Sequence, residues 1–149
     1  MIDFSGKRVF ITGGTRGIGK AVSEKFAEHG ADIAITYFKE KILAKNLINS
    51  LPGSNHNCFQ LDISDKDQVQ NTIEDAISFL GGLDIVINNA GIFIDHPMFE
   101  VTYNGWQDSW HSTLETNLIG PANVCYICLL YTSDAADEGL GVDLGGRRI

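Results

Sequence analysis

Apolar positions along this chain follow two alternating rhythms. Arg8 to Thr12, Ile33 to Tyr37, Asn57 to Leu61 and Leu83 to Asn88 read as short strands, the first and fourth of buried type. Between them, Ile18, Ala21, Val22 and Phe26 recur at helical spacing. So do Leu43, Ala44, Leu47 and Leu51, and then Val69, Ile73, Ala76, Ile77 and Leu80. Gly30, Pro52-Gly53 and Gly81-Gly82 supply the stops. Ser64, with Asp67 three residues on, reads as the N-cap of the third helix. Strands alternating with helices predict an α/β fold whose parallel sheet is covered on both faces. After Asn89-Ala90-Gly91 the pattern loosens. Ile92 to Gly105 reads as a loop, and Trp106 to Leu130 as one long helix with a candidate break at Gly120-Pro121, because proline removes a backbone donor. The remainder, from Tyr131 onward, has no clear period.

Composition narrows the class. A chain of 149 residues can hide ~70% of the surface it exposes when unfolded, enough for one core. The net charge of -8 argues against nucleic-acid or anionic-membrane partners. No Lys or Arg lies between Lys66 and Arg147, so that stretch carries no basic stripe. The amino terminus lacks the basic and apolar regions of a signal peptide. The late apolar run, Val124 to Tyr131, is far short of the ~20 residues of a membrane span. Three cysteines suit a reducing cytoplasm better than a disulfide framework. His29, His56, His96 and His111 are scattered, with no metal-ligand spacing.

The sharpest chemical signal is Thr12-Gly13-Gly14-Thr15-Arg16-Gly17-Ile18-Gly19, set between a strand and a helix start. That order suits the pyrophosphate of a dinucleotide. Glycine permits a tight turn with positive φ and lets a phosphate approach the backbone. The helix beginning near Gly17 then offers free N–H groups and a positive dipole end.

Thr12-Gly13-x-x-x-Gly17-x-Gly19, Asp62-Ile63, Asn88-Asn89-Ala90-Gly91 and Asn117 resemble, in order, the short-chain dehydrogenase/reductase pattern, in its 3-oxoacyl-[acyl-carrier-protein] reductase-like branch. The resemblance covers roughly residues 1–125 and implies a Rossmann-type doubly wound parallel sheet, represented here by its N-terminal part: about four βα units plus one long helix. It implies that Gly13, Gly17, Ile18 and Gly19 hold the pyrophosphate, with Thr15 and Arg16 in the same turn. Asp62 would accept from the adenine amino group, with Ile63 beside the ring. Asn89, Ala90 and Gly91 would line the ribose and pyrophosphate. Asn117 matches the helix asparagine that holds a water in the proton relay. Plain readings stand beside these: a simple turn, a solvated strand end at Asp62, a surface helix residue at Asn117. The stretch from Gly91 to Asn117 is a few residues longer than the pattern, which bears on the substrate-side loop.

Charge bears on the cofactor. An acid ending the second strand favours NAD by accepting from the ribose 2′-OH and repelling a 2′-phosphate. Here Thr36-Tyr37-Phe38-Lys39 has no acid before Glu40. Arg16 and Lys39 could clasp a 2′-phosphate, so NADP(H) is expected over NAD(H). The plain alternative makes Lys39 a solvated helix-start residue.

The resemblance also implies a tyrosine proton donor, a lysine four residues later and a serine that polarises the carbonyl. Tyr103, Tyr126 and Tyr131 are followed at that spacing by Gln107, Leu130 and Ala135. A free phenol has a pKa of ~10 and needs a nearby cation to act near neutrality. Of the catalytic set only Asn117 is present. Tyr37 to Lys41 spells Tyr-x-x-x-Lys but belongs to the adenosine end. Gly14 to Lys20 begins a triphosphatase loop, yet Ala21 lacks the hydroxyl needed for Mg²⁺. Cys125 and Cys128 read as core packing on a helix.

From about Cys128 the sequence resembles translated sequencing-adapter DNA. The expectation is therefore an incomplete dinucleotide-binding domain over residues 1–127 and a non-native tail over 128–149. On that expectation Leu83 to Asn88 becomes an exposed apolar edge, the first four βα units are the best-ordered part, and the family's homo-oligomer is in doubt. Two readings of function follow. One is a fragment of an NADP(H)-dependent oxidoreductase that acts on a small carbonyl substrate. The other is a nucleotide-binding module without turnover. A redox-state sensor is a third and weaker reading.

Overall fold

The computed structural model describes residues 2–140, with side chains as far as residue 132. Four strands, β1 (Arg8–Ile11), β2 (Asp32–Tyr37), β3 (His56–Gln60) and β4 (Ile85–Ile87), form one sheet in the order β3-β2-β1-β4. All three pairings are parallel, with Val9 opposite both Ile33 and Ile85. This is the first two-thirds of the 3-2-1-4-5-6 order of a Rossmann sheet. The connecting helices are α1 (Gly17–Glu28), α2 (Lys41–Ser50) and α3 (Lys66–Leu80), followed by α4 (Tyr103–Leu114) and α5 (Gly120–Leu140).

Period-two alternation assigns the two faces of the sheet. Val9, Ile11, Ile33 and Ile35 point to one side and pack with Ala27, Ala44 and Leu47 of α1 and α2. Phe10 and Ala34 point to the other and pack with Val69, Ile73 and Ala76 of α3 and with Val124 and Cys128 of α5. Burial on both faces explains why β1 and β2 read as continuous apolar runs. The chain therefore has the expected doubly wound α/β architecture.

Several local expectations need correction. Asp65, not Ser64, caps α3: its carboxylate accepts from the Asp67 and Gln68 N–H groups. The Ser64 hydroxyl instead donates to Asp62 Oδ1 at 2.6 Å. A carboxylate accepts two bonds where one hydroxyl had been assigned, and the cap moves by one residue. β4 is half-buried rather than fully buried, because among the described residues only β1 flanks it. Its three residues are fewer than the six-residue apolar run.

The long helix starts earlier, at Tyr103, where Thr102 Oγ1 accepts from the Gly105 N–H. It does not stop at Gly120-Pro121. A π-helical turn, Glu115–Ile119, joins α4 to α5. Pro121 cannot donate, and its ring crowds the carbonyl four residues back, so a widened turn accommodates it. Helix α5 continues to Leu140 through the stretch that shows no clear period. The last part of the expected tail, 141–149, lies outside the described residues.

Candidate cofactor site

The strand order reverses between β1 and β4, and in open α/β sheets such a switch point opens a crevice at the carboxyl ends of the strands. Here β1 leads into the glycine turn and β4 into Asn88-Asn89-Ala90-Gly91. Thr12 joins the two. Its hydroxyl oxygen accepts from the Asn89 and Ala90 N–H groups, both at 3.0 Å, and lies 3.4 Å from the Ile87 carbonyl. One buried hydroxyl thus serves three backbone groups, its full capacity. The Asn89 side-chain amide donates to the carbonyls of Thr12 and Gly13, at 3.1 and 2.9 Å. On the other side the Gly13 N–H donates to Thr36 Oγ1 and the Gly14 N–H to the Thr36 carbonyl, both at 3.1 Å.

Sterics then account for the glycines. Gly13 and Gly17 sit at φ +64° and +52°, where a side chain is strained. A Cβ on Gly19 would collide with the Gly13 carbonyl and stand 2.5 Å from Asn89 Nδ2. A Cβ on Gly14 would stand 2.6 Å from Ile35 Cγ2. Helix α1 begins without a capping side chain or an acid in its first turn. Its leading N–H groups are thus left for an anion, which the dipole also favours.

A cleft of about 650 Å³ lies over this turn. Gly13, Thr15, Arg16, Lys39, Asp62, Ile63, Asn89, Ala90 and Gly91 all line it. Gly17, Ile18 and Gly19 do not. Gly19 is buried under the turn and Ile18 is 77% exposed beside it. Asp62 holds its own loop, since Oδ1 accepts from the Ser64 N–H and hydroxyl. The cleft also takes in Thr36, Glu40 and Thr116, which sequence reasoning missed as site residues. A buried threonine within an apolar strand was the available signal for Thr36. Glu40 reaches back to Arg16, at 3.4 Å between Oε1 and Nη1. The Lys39 ammonium lies 5.0 Å from the Phe38 ring centroid.

Asn117 lies beside the cleft, in the π turn. Its Oδ1 accepts from the Ile92 N–H and its Nδ2 donates to the Ile92 carbonyl, both at 2.8 Å. A Cβ on Gly91 would meet Asn117 Oδ1 at 3.2 Å, so the loop after β4 runs close against this amide. Gly120 holds the helix close to the Asp62-Ile63 loop, for a Cβ there would stand 2.5 Å from the Ile63 carbonyl. The dipeptide read as a break is therefore a packing contact next to the site.

The declined motifs fare as follows. Tyr37 is buried, and desolvation raises its phenol pKa, the wrong direction for a proton donor near neutrality. Burial pushes the Cys128 thiol up to about 11, as expected for core packing. Cys125 departs from that expectation: it is exposed, and Asn88 Nδ2 donates to its sulfur at 3.2 Å.

Fold, switch-point crevice and glycine cradle together define a dinucleotide-binding α/β protein. The chain belongs to the short chain dehydrogenase family, whose sequence profile matches residues 7–140. It is 31% identical over 119 residues to a 3-oxoacyl-[acyl-carrier-protein] reductase of Staphylococcus aureus, covering 78% of this chain and 47% of that protein. It is 34% identical over 122 residues to the same enzyme of Chlamydia muridarum, covering 80% and 47%. A glucose 1-dehydrogenase of Gluconobacter oxydans is 32% identical over 138 residues, 91% of this chain and 50% of that one. Among solved structures, a Burkholderia cenocepacia short chain dehydrogenase in complex with NADP superposes with a TM-score of 0.77 at 31% identity. A blue fluorescent protein from a metagenomic library, in complex with NADPH, gives 0.79 at 37%. Each covers 87% of this chain, which covers 52% of each. The chain thus spans about half the length of the curated relatives it matches. Among the described residues, no helix is long and apolar enough to cross a membrane.

Proposed function

We propose that this chain binds NADP(H) in the cleft above the glycine turn and serves as the cofactor half of an oxidoreductase acting on a small carbonyl or alcohol. The observation that carries the reading is the turn itself, fixed from both sides by Asn89 and Thr36 and leading into an uncapped helix. The residues fit the group, because the turn leaves space for phosphate where a side chain would fill it. When bound, the nicotinamide supplies or accepts a hydride. The chain's own residues do the binding. The N–H groups at the start of α1 face the pyrophosphate, Asp62 receives the adenine amino group with Ile63 beside the ring, and Arg16 and Lys39 lie at the ribose end. The two complexes with NADP and NADPH among similar structures support the phosphorylated cofactor.

Asn117 is a positioning residue in this reading. It holds the Ile92 backbone and thereby the loop that floors the nicotinamide side. A positioned general acid typically contributes ~10²–10⁴ in rate, and no tyrosine–lysine pair at the family spacing faces the cleft among the described residues. A second reading follows from that: a binding module that does not turn over. Calorimetric titration with NADPH and NADH, run beside an NADPH-oxidation assay on ketone and 3-oxoacyl panels, separates them. Binding with oxidation supports the first reading, and binding alone supports the second. Tighter binding of NADH than NADPH contradicts the cofactor assignment.

A further inference from the structure

The ribose end of the cleft is framed by two cations and one acid. Arg16 closes the glycine turn, Lys39 follows β2, and Glu40 is the residue before α2. We infer that Glu40 is a specificity residue that narrows the preference for a 2′-phosphorylated dinucleotide over its unphosphorylated counterpart, an inference that rests on the cofactor reading above.

The geometry carries the argument. Glu40 Oε1 is 3.4 Å from Arg16 Nη1, across the mouth of the cleft. The two side chains are 49% and 77% exposed, so the pair is long, wet and weak. A phosphate monoester offers the guanidinium a shorter, doubly charged and bidentate partner, and it displaces the carboxylate. The displaced carboxylate does not leave the neighbourhood. Its backbone is held at the start of α2, where the Glu40 carbonyl accepts from the Ala44 N–H at 3.0 Å. A negative charge therefore stays beside the arriving phosphate and opposes it. Lys39 offsets part of this, since its ammonium is held only over the face of Phe38. An unphosphorylated ribose meets no such opposition and leaves the Arg16–Glu40 pair in place. Net affinity for the 2′-phosphate is thus the Arg16 and Lys39 attraction less the Glu40 repulsion. No acid ends β2 itself, so Glu40 is the group through which this chain would moderate its choice.

The test uses the whole chain and two small probes, adenosine 2′,5′-bisphosphate and 5′-AMP, titrated by calorimetry at low salt. The variants are Glu40→Gln, which keeps the shape, and Glu28→Gln, which removes the same charge from the far end of α1. In Glu40→Gln the bisphosphate binds about threefold tighter while 5′-AMP is unchanged, and the gain fades as salt is raised. Glu28→Gln leaves the ratio of the two affinities unchanged. An unaltered or reduced ratio in Glu40→Gln overturns the inference, as does an equal gain in Glu28→Gln, which would make the effect one of net charge. Wild-type chain that binds neither probe contradicts the cofactor reading itself, a result distinct from a bound bisphosphate indifferent to Glu40.

Discussion

The Asn89 side-chain amide lies where a β-carbon on Gly19 would have to go, 2.5 Å from it, while donating to the carbonyls of Thr12 and Gly13. One contact thus fixes the loop after β4, the glycine turn and the first turn of α1 together. Gly19→Ala places its methyl against backbone, which cannot swing away. The expected loss is about 1–3 kcal/mol in urea unfolding, together with loss of dinucleotide binding. Gly17→Ala is the contrast. Nothing lies within 4 Å of its Cβ, so only the positive φ opposes it, at about 1 kcal/mol.

Thr12→Val keeps the volume and removes the hydroxyl. The Asn89 and Ala90 N–H groups lose their acceptor in a partly buried place. A destabilisation of about 1–3 kcal/mol is expected, read by denaturant titration. Thr12→Ser restores most of it, since the acceptor returns.

Asp84 gives the fold a pH dependence. The Arg8 guanidinium donates to both carboxylate oxygens, at 2.7 and 3.1 Å, and holds the Asp84 pKa down to about 2. A depressed folded pKa contributes stability that is fully present above the unfolded value near 4. That stability is lost as pH falls through about 2. Discounted for partial exposure of both partners, it is about 1–2 kcal/mol. Stability curves between pH 6 and pH 2 should fall more steeply for the wild-type chain than for Asp84→Asn, which starts lower and is flatter.

Asn117→Ala removes both hydrogen bonds to Ile92. The loop after Gly91 should exchange its amides faster, with a global cost of about 1 kcal/mol, while β1, β2 and α3 keep their protection.

The sheet was legible because strands buried on both faces need unbroken apolar runs, and Val9-Phe10-Ile11 and Ile33-Ala34-Ile35 are such runs. The glycine turn was legible for a related reason: glycine has few substitutes at positive φ or against a carbonyl. Nine of the twelve candidate cofactor contacts line one cleft, and the exceptions, Gly17, Ile18 and Gly19, shape it from beneath or beside. Other features depend on partners distant in sequence. Ser64 and Asp65 are both good caps by type, and only the chain path around Asp62 decides which one turns inward. Gly120-Pro121 suggests a break to any local rule. Its packing against Ile63 and the π turn that absorbs the proline arise from tertiary contact. Glu40 reads as a helix-start acid until the fold brings Arg16 across 24 residues to meet it.

The central claim is that the amides opening α1 receive a dinucleotide pyrophosphate. The most direct test is an ¹H–¹⁵N correlation spectrum of labelled chain titrated with NADPH. Saturable shifts at the Gly13, Gly17, Ile18 and Gly19 amides, with little change along α3, are the predicted result. A spectrum that stays unmoved at those four amides, or that shifts only elsewhere, would contradict it.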